Sequence, residues 1–252
     1  AKAILDELHE TINIDEEFNY WITDGISIDW KFDYLIKKDL IKAELVAGPL
    51  TVLILGLIFG SLFAALLPFG VGIGTVLAAI GMTIWLSNVT DVTVYATNII
   101  SLIGIGVSID YSLFLVNRFR EELDRGHDVR IATAMSCATA GKAVFYSGIT
   151  VAIGLMGMLF FTNTSLPSLG IGGTIAVSIA MVYSTVVLPA VMAILGHSVN
   201  KFKIPYSFDM SAKDDGIWAS IAKKVMDRPW AVLIPTLILL IGAGIPFAYA
   251  EF

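Results

Sequence analysis

The sequence predicts an all-α, polytopic membrane protein, and three observations carry that prediction. Of its 252 residues, 56% are hydrophobic and only 15% charged, against about 25% charged in soluble globular domains. No charged residue occurs between Leu45 and Thr90, a run more than twice the ~20 residues that one helix needs to cross a bilayer. Four further apolar stretches follow it.

Taken in order, the long run divides at Pro68 and Gly70 into spans at about 46–66 and 69–87. A third span covers about 94–117. A fourth, 143–161, and a fifth, 168–196, are joined by the polar turn TNTSLP, and a sixth covers about 230–249. Residues 1–45 are the only region with an extramembrane, folded character. AKAILDELHETI has apolar residues at helical spacing, EFNYWITDG reads as a strand ending at a turn at Gly25, and WKFDYLIKKDLIKAEL reads as a helix entering the first span. The segment is too short to be a domain alone and reads as the end of an external one.

Lys and Arg set the expected orientation. Arg118, Arg120, Arg125, Arg130 and Lys142 lie between spans three and four; Lys201, Lys203, Lys213, Lys223, Lys224 and Arg228 lie between spans five and six. The loops SNVTDVT and TNTSLP have none. By the positive-inside rule the connector 118–142 and the linker 197–229 are cytoplasmic, and residues 1–45 external. Within the connector, the chain breaks at Gly126 and Asp128 caps a second helix. His127, beside that Gly and Asp, reads as a turn residue. Trp85, Trp230 and Tyr249 read as interface anchors, and Lys142 as a snorkelling cation.

The net charge of −6 comes with acidic residues concentrated near the N-terminus, and no feature points to nucleic acid. Cys137 is the only cysteine, which excludes an internal disulfide or a Cys-rich metal site. There is no metal-ligand spacing, nucleophile motif or nucleotide-binding loop, so neither an enzyme nor a cofactor is expected.

The chemistry concentrates in SLIGIGVSIDYSLFLVNRFREE, residues 101–122. Asp110 sits in the apolar part, eight residues from Arg118, or roughly 12 Å along a helix. A carboxylate at the centre of a lipid-facing helix costs about 2.5–3.5 kcal/mol on insertion scales. Asp110 is too short to snorkel, so it is expected to face the bundle interior, a partner or water. Thr97, Ser101, Gly104, Ser108 and Ser112 recur at three- and four-residue steps, a spacing that lets helices approach closely. Gly106, one turn before Asp110, clears space beside it. Tyr111 adds a hydroxyl about 100° around the helix. Two readings of Asp110 stand side by side: a neutral hydrogen-bonding clasp between helices, or a proton carrier whose pKa is raised by burial. Ser108 and Ser147 are candidates for a polar pathway, with Gly104 and Gly106 packing near the carboxyl. Ser and Thr at such positions also commonly bond only their own helix backbone.

The stretch IGIGVSIDYSLFLVNRFREELDRGHDVRIATAMSCATAGKAVFYSGITVAI resembles the MmpL family of the RND (resistance–nodulation–division) transporters. The matching positions are Gly104, Gly106, Asp110, Tyr111, Leu113, Phe114, Arg118, Arg120, Glu121 and Glu122; KKDLIKAELVAGPL, FGSLFAALLP and TVVLPAVMAILG also look like the family. Ser108, where members often have Gly, and Asn117, where they often have Ser, depart from it. The resemblance implies an RND-type helix bundle covering helices two to seven, with residues 1–45 as an α+β remnant of an external porter domain, 46–196 as a five-span bundle, 197–229 as a linker and 230–252 as the start of a second repeat. The chain is then expected to be part of a longer transporter. It further implies an inner (plasma) membrane location and proton-driven export of lipids or other hydrophobic molecules. Asp110 and Tyr111 form half of a proton relay whose other Asp-Tyr pair lies in the missing half. Expected partners are protons, membrane lipids, the hydrophobic substrate and that second half. The competing readings are a sterol-sensing or Patched-like receptor on the same core, and a non-transporting structural subunit.

Overall fold

The computed structural model describes residues 25–90, 92–161, 164–202 and 217–249. Everything expected of AKAILDELHETI, and most of what was expected of EFNYWITDG, lies outside them. The described residues are helical almost throughout, in an architecture of long apolar helices, six of which are long and apolar enough to cross a membrane.

Helix α1 runs unbroken over Gly25–Phe59, so Gly25 is itself helical, and the strand expected before it lies outside the described residues. WKFDYLIKKDLIKAEL is helical and continuous with the first span, as its pattern predicts. Helix α2 covers Leu62–Leu86. The division between them therefore falls at Gly60–Ser61, not at Pro68 and Gly70. Gly60 takes φ +63°, a left-handed conformation that costs other residues roughly 1–2 kcal/mol, and Ser61 is extended at φ −145°, ψ 130° before the new helix. Pro68 is buried inside α2. It removes one backbone hydrogen bond there, a loss that membrane helices accommodate through their neighbours.

Helix α3, Val94–Asp124, turns at Gly126 (φ +88°) into α4, Val129–Ser136, with Asp128 at the N-cap position. A π-helical turn, Cys137–Gly141, joins α4 directly to α5, Lys142–Met156. The fourth span is thus one helix from Val129 to Phe160, longer at its start than the hydropathy of 143–161 indicates. The fifth is built the same way: α6, Leu166–Val182; a π turn, Tyr183–Val187; α7, Leu188–Leu195; and a 3₁₀ turn, Gly196–Asn200. Pro189 explains the second π turn. It has no N–H for the Thr185 carbonyl, so the helix widens where that bond is missing.

The centre of the bundle is α3, packed on α2 along one side and on α6 along another; α5 leans on α6, and α1 on α2. Small residues set these distances. A Cβ at Gly172 would lie 2.8 Å from the Ala96 carbonyl oxygen, and one at Gly170 would lie 2.8 Å from that of Leu155. At Gly104 the neighbours are Val76, Thr75 and Ala176. Helices α8, Ile217–Asp227, and α9, Pro229–Gly244, belong to a separate unit, residues 208–252. Trp230, expected at an interface, is exposed at the start of α9, and Trp85 is exposed at the end of α2.

The Gly172 contact generates a direct expectation. Gly172→Ala must push α6 from α3 and is expected to destabilise the bundle by about 1–3 kcal/mol, read as a lowered Tm in detergent or nanodiscs. An unchanged Tm would mean that the two helices are not in backbone contact there.

Candidate functional site

Helix α3 presents two faces. Ala96, Ile100, Gly104, Ser108, Tyr111, Ser112, Leu115, Phe119 and Glu122 are buried, at three- and four-residue steps, against α2, α6 and the helices that follow. Leu102, Gly106, Asp110, Phe114, Asn117 and Glu121 form the other face, and all are exposed. Each row repeats close to 3.6 residues, so both follow from one straight helix.

This division separates the residues the sequence singled out. Asp110 and Gly106 lie on the exposed face, and a Cβ at Gly106 would meet nothing within 4 Å. Tyr111 turns inward and is 7% exposed, within the same buried cluster as Leu115, Val116 and Leu188. Ser108 is fully buried and its hydroxyl has no partner among the described residues. Gly104 is in the seam with α2 and α6, and Ser147 is on the exposed side of α5. Of the small-residue row, Ser112 reaches furthest: its Oγ is 3.4 Å from Ser184 Oγ in the π turn of span five. That turn brings Ser184 inward, where a regular helix would continue its earlier phase.

Sequence reading missed how the helix ends are tied. Arg120 Nε donates to Asn200 Oδ1 at 2.7 Å, and a terminal nitrogen donates to the Phe59 carbonyl at 2.8 Å. The guanidinium also lies 5.6 Å from the Phe59 ring centroid. One side chain thus joins the end of α1, the end of α3 and the end of span five. Beside it the Ser61 hydroxyl is within donating distance of the Val199 (2.6 Å) and Lys201 (2.9 Å) carbonyls, and the Leu62 N–H donates to the Phe202 carbonyl at 3.3 Å. The starts of both basic loops, at Arg118 and at Lys201, therefore lie at one end of the bundle. At the other end the Thr93 N–H donates to Ser168 Oγ at 3.2 Å, joining the loop SNVTDVT to the first turn of α6, next to the other loop that lacks Lys and Arg. The alternation of Arg118 and Arg120 across the last turns of α3 was the available signal, since two cations two residues apart cannot share a face.

Among the described residues no group of three or more His, Cys, Asp and Glu is placed to hold a metal ion.

Replacing Arg120 with Ala leaves the Phe59 carbonyl and Asn200 without their donor, and is expected to cost about 2 kcal/mol. Arg120→Lys should recover less than half of that, because an ammonium lacks the planar fork that reaches both acceptors. Thermal unfolding of the three proteins checks this, and equal Tm values for Arg and Ala would refute it.

The sequence is similar to known proteins. The sequence matches the MMPL family over residues 22–232. It is 38% identical over 212 residues, 83% of this chain, to the mycolic acid-containing lipids exporter MmpL11 of Mycolicibacterium smegmatis. It is 32% identical over 237 residues, 84% of this chain, to the trehalose monomycolate exporter MmpL3 of Mycobacterium tuberculosis H37Rv. It is also 34% identical over 211 residues, 82% of this chain, to the heme uptake protein MmpL11 of that organism. The alignments cover 22%, 25% and 22% of those relatives, so the chain spans about a quarter or less of their length. With a match across most of its residues, and six helices fit to cross a membrane, the chain is a multi-pass membrane protein of the MMPL family.

Proposed function

We propose that this chain is a transmembrane part of a proton-driven exporter of lipids or other large hydrophobic molecules, with Asp110 as the proton-carrying group. The observation that carries the reading is the placement of Asp110. It is the one carboxylate in the apolar part of α3, and it projects from a face that is exposed among the described residues. An ionisable group at that depth is costly against lipid, so the uncovered face is the one that receives a partner. Leu102, Phe114 and the open notch at Gly106 give that face an apolar body with room beside the carboxyl. In the family the resemblance names, the partner is a second half with its own Asp-Tyr pair.

The chemistry follows from charge. Ionised, Asp110 attracts cationic or hydrogen-bond-donating groups across the interface; protonated, it loses that charge and its hold weakens. Uptake and release from opposite sides then alternate two packings of the halves. Tyr111, on the next position but turned inward, locks the carboxyl-bearing turn to the buried cluster, so displacement of that turn reaches α2 and α6.

Orientation belongs to the same proposal. The shared end of the two basic loops is cytoplasmic in the inner membrane, and residues 1–45 are external. Relatives named for mycolic acid-containing lipids and for trehalose monomycolate support a lipid cargo. The relative named for heme uptake supports large apolar molecules as the wider class.

Asp110→Asn tests the relay in the full-length protein reconstituted in liposomes with an imposed proton gradient. Asn keeps size and hydrogen bonding but carries no proton across. Gradient-driven export of a fluorescent mycolate-like lipid is expected to fall to background, with Tm unchanged within a few degrees. Full export by this variant would overturn the proton role and leave Asp110 as a clasp.

A further inference from the structure

Helices α1 and α2 do not close fully on each other. Between them lies a cavity of about 510 Å³, a size typical of small-molecule sites, which run from about 300 to 1,000 Å³. Every side chain that lines it is apolar. Pro49, Leu53 and Leu62, along its rim, are exposed, so it opens on the outer surface of the bundle. The hollow follows from the sequence of α1. Gly48 and Gly56 have no side chain and Pro49 only a ring, so α1 withdraws from α2 there. On α2, the Phe69 ring closes one end, 3.4 Å from where a Cβ on Gly48 would lie, and Leu62 stands at the other.

The depth of the hollow is that of one leaflet. The charge-free run starts at Leu45, so Gly48 lies just inside the hydrocarbon. From Gly48 to Leu57 the hollow follows α1 for roughly 14 Å at 1.5 Å per residue, close to half of a hydrocarbon core ~30 Å thick. That is the depth over which one acyl chain lies.

Cations stand above it on the same side of the helix. Lys38, Lys42, Pro49 and Gly56 follow at steps of four, seven and seven residues, so all four share one stripe of α1. Lys42 is roughly 9 Å along the axis from Gly48, at the level of the headgroups. Both lysines are exposed, and among the described residues neither is in an ion pair. Of the acidic residues between Lys38 and Pro49, Glu44 falls on the opposite side of the helix and Asp39 beside the stripe. Pro49 also has no N–H to donate to the Leu45 carbonyl, which leaves an acceptor at the mouth of the hollow.

We propose that this groove is a binding site for one anionic phospholipid of the surrounding bilayer. An acyl chain fills the hollow, the phosphate sits beside Lys38 and Lys42, and a headgroup hydroxyl donates to the Leu45 carbonyl. Every bilayer lipid offers a chain, so the two lysines supply the selection, through attraction to negative charge near the membrane surface. The lipid is a resident that completes the contact of α1 with α2, not cargo. The site is built from α1 and α2 alone and does not depend on Asp110 carrying protons.

Native mass spectrometry of the full-length protein, titrated in detergent with lipids of matched chains, tests the site. One phosphatidylglycerol is expected to bind about tenfold more tightly than phosphatidylcholine. The double variant Lys38→Gln/Lys42→Gln should bring the first down to the level of the second. Leu53→Trp, at a position 58% exposed where a larger side chain leaves the fold intact, fills the hollow and should weaken both. Equal affinity for the two lipids would overturn the site. So would phosphatidylglycerol binding that neither variant alters, which is the result for an unspecific lipid shell, or for a hollow covered by another part of the protein. Displacement of phosphatidylglycerol by the fluorescent mycolate-like lipid would overturn it as well, by making the groove a cargo path. Asp110→Asn should bind phosphatidylglycerol as the parent protein does, which separates failure of this site from failure of the relay.

Discussion

Close packing along the inner face of α3 is the constraint on which the rest of the structure depends. Gly104, Ser108 and Ser112 on α3, and Gly172 on α6, carry little or no side chain where helices meet, so backbones approach within reach of one another's carbonyls. In an apolar solvent no hydrophobic force drives helices together, and close contact of this kind is what holds them. It also fixes the rotation of α3. Once Ser108 and Ser112 face inward, Asp110, two residues from each, must face out. The placement of the carboxylate is thus a consequence of where the small residues are, and it leaves a polar group on a face that is exposed among the described residues.

The two ends of the bundle are held by different chemistry. At one end Arg120 and Ser61 join α1, α2, α3 and span five through hydrogen bonds to backbone carbonyls and to the Asn200 side-chain oxygen. Such bonds are worth having at a loop end, where the break at Gly60 and the end of α7 free backbone groups that need partners. At the other, the Thr93 N–H donates to Ser168 Oγ. The charged end is thus the more extensively tied, with Arg120 and the buried Glu122 in the last turns of α3.

Much of this was legible in the sequence because the membrane imposes a coarse rule. About twenty apolar residues make a span, and a helix is the one local structure that satisfies its own backbone there; six spans follow from hydropathy. Asp110 was legible for the same reason: a carboxylate is conspicuous in an apolar run. The boundary at Pro68 was misplaced because proline breaks helices in water but is carried inside them in a bundle, whereas Gly60–Ser61 breaks α1 through a backbone conformation that hydropathy does not record. The fourth span was drawn short because α4 carries polar residues that are tolerated next to α3.

The sequence by itself determined the number and order of the spans, the family, and the presence of one carboxylate in the apolar part of the third. Local composition fixes these, since each depends on a residue and its near neighbours. Only the tertiary structure decided that Asp110 and Tyr111 point to different sides of α3, that Ser112 meets Ser184 through a π turn, and that Glu122 lies buried beneath two arginines and a histidine. Those facts depend on which face of each helix is closed by another, and that is settled by contacts between residues as much as 140 positions apart, such as Ser61 with Lys201.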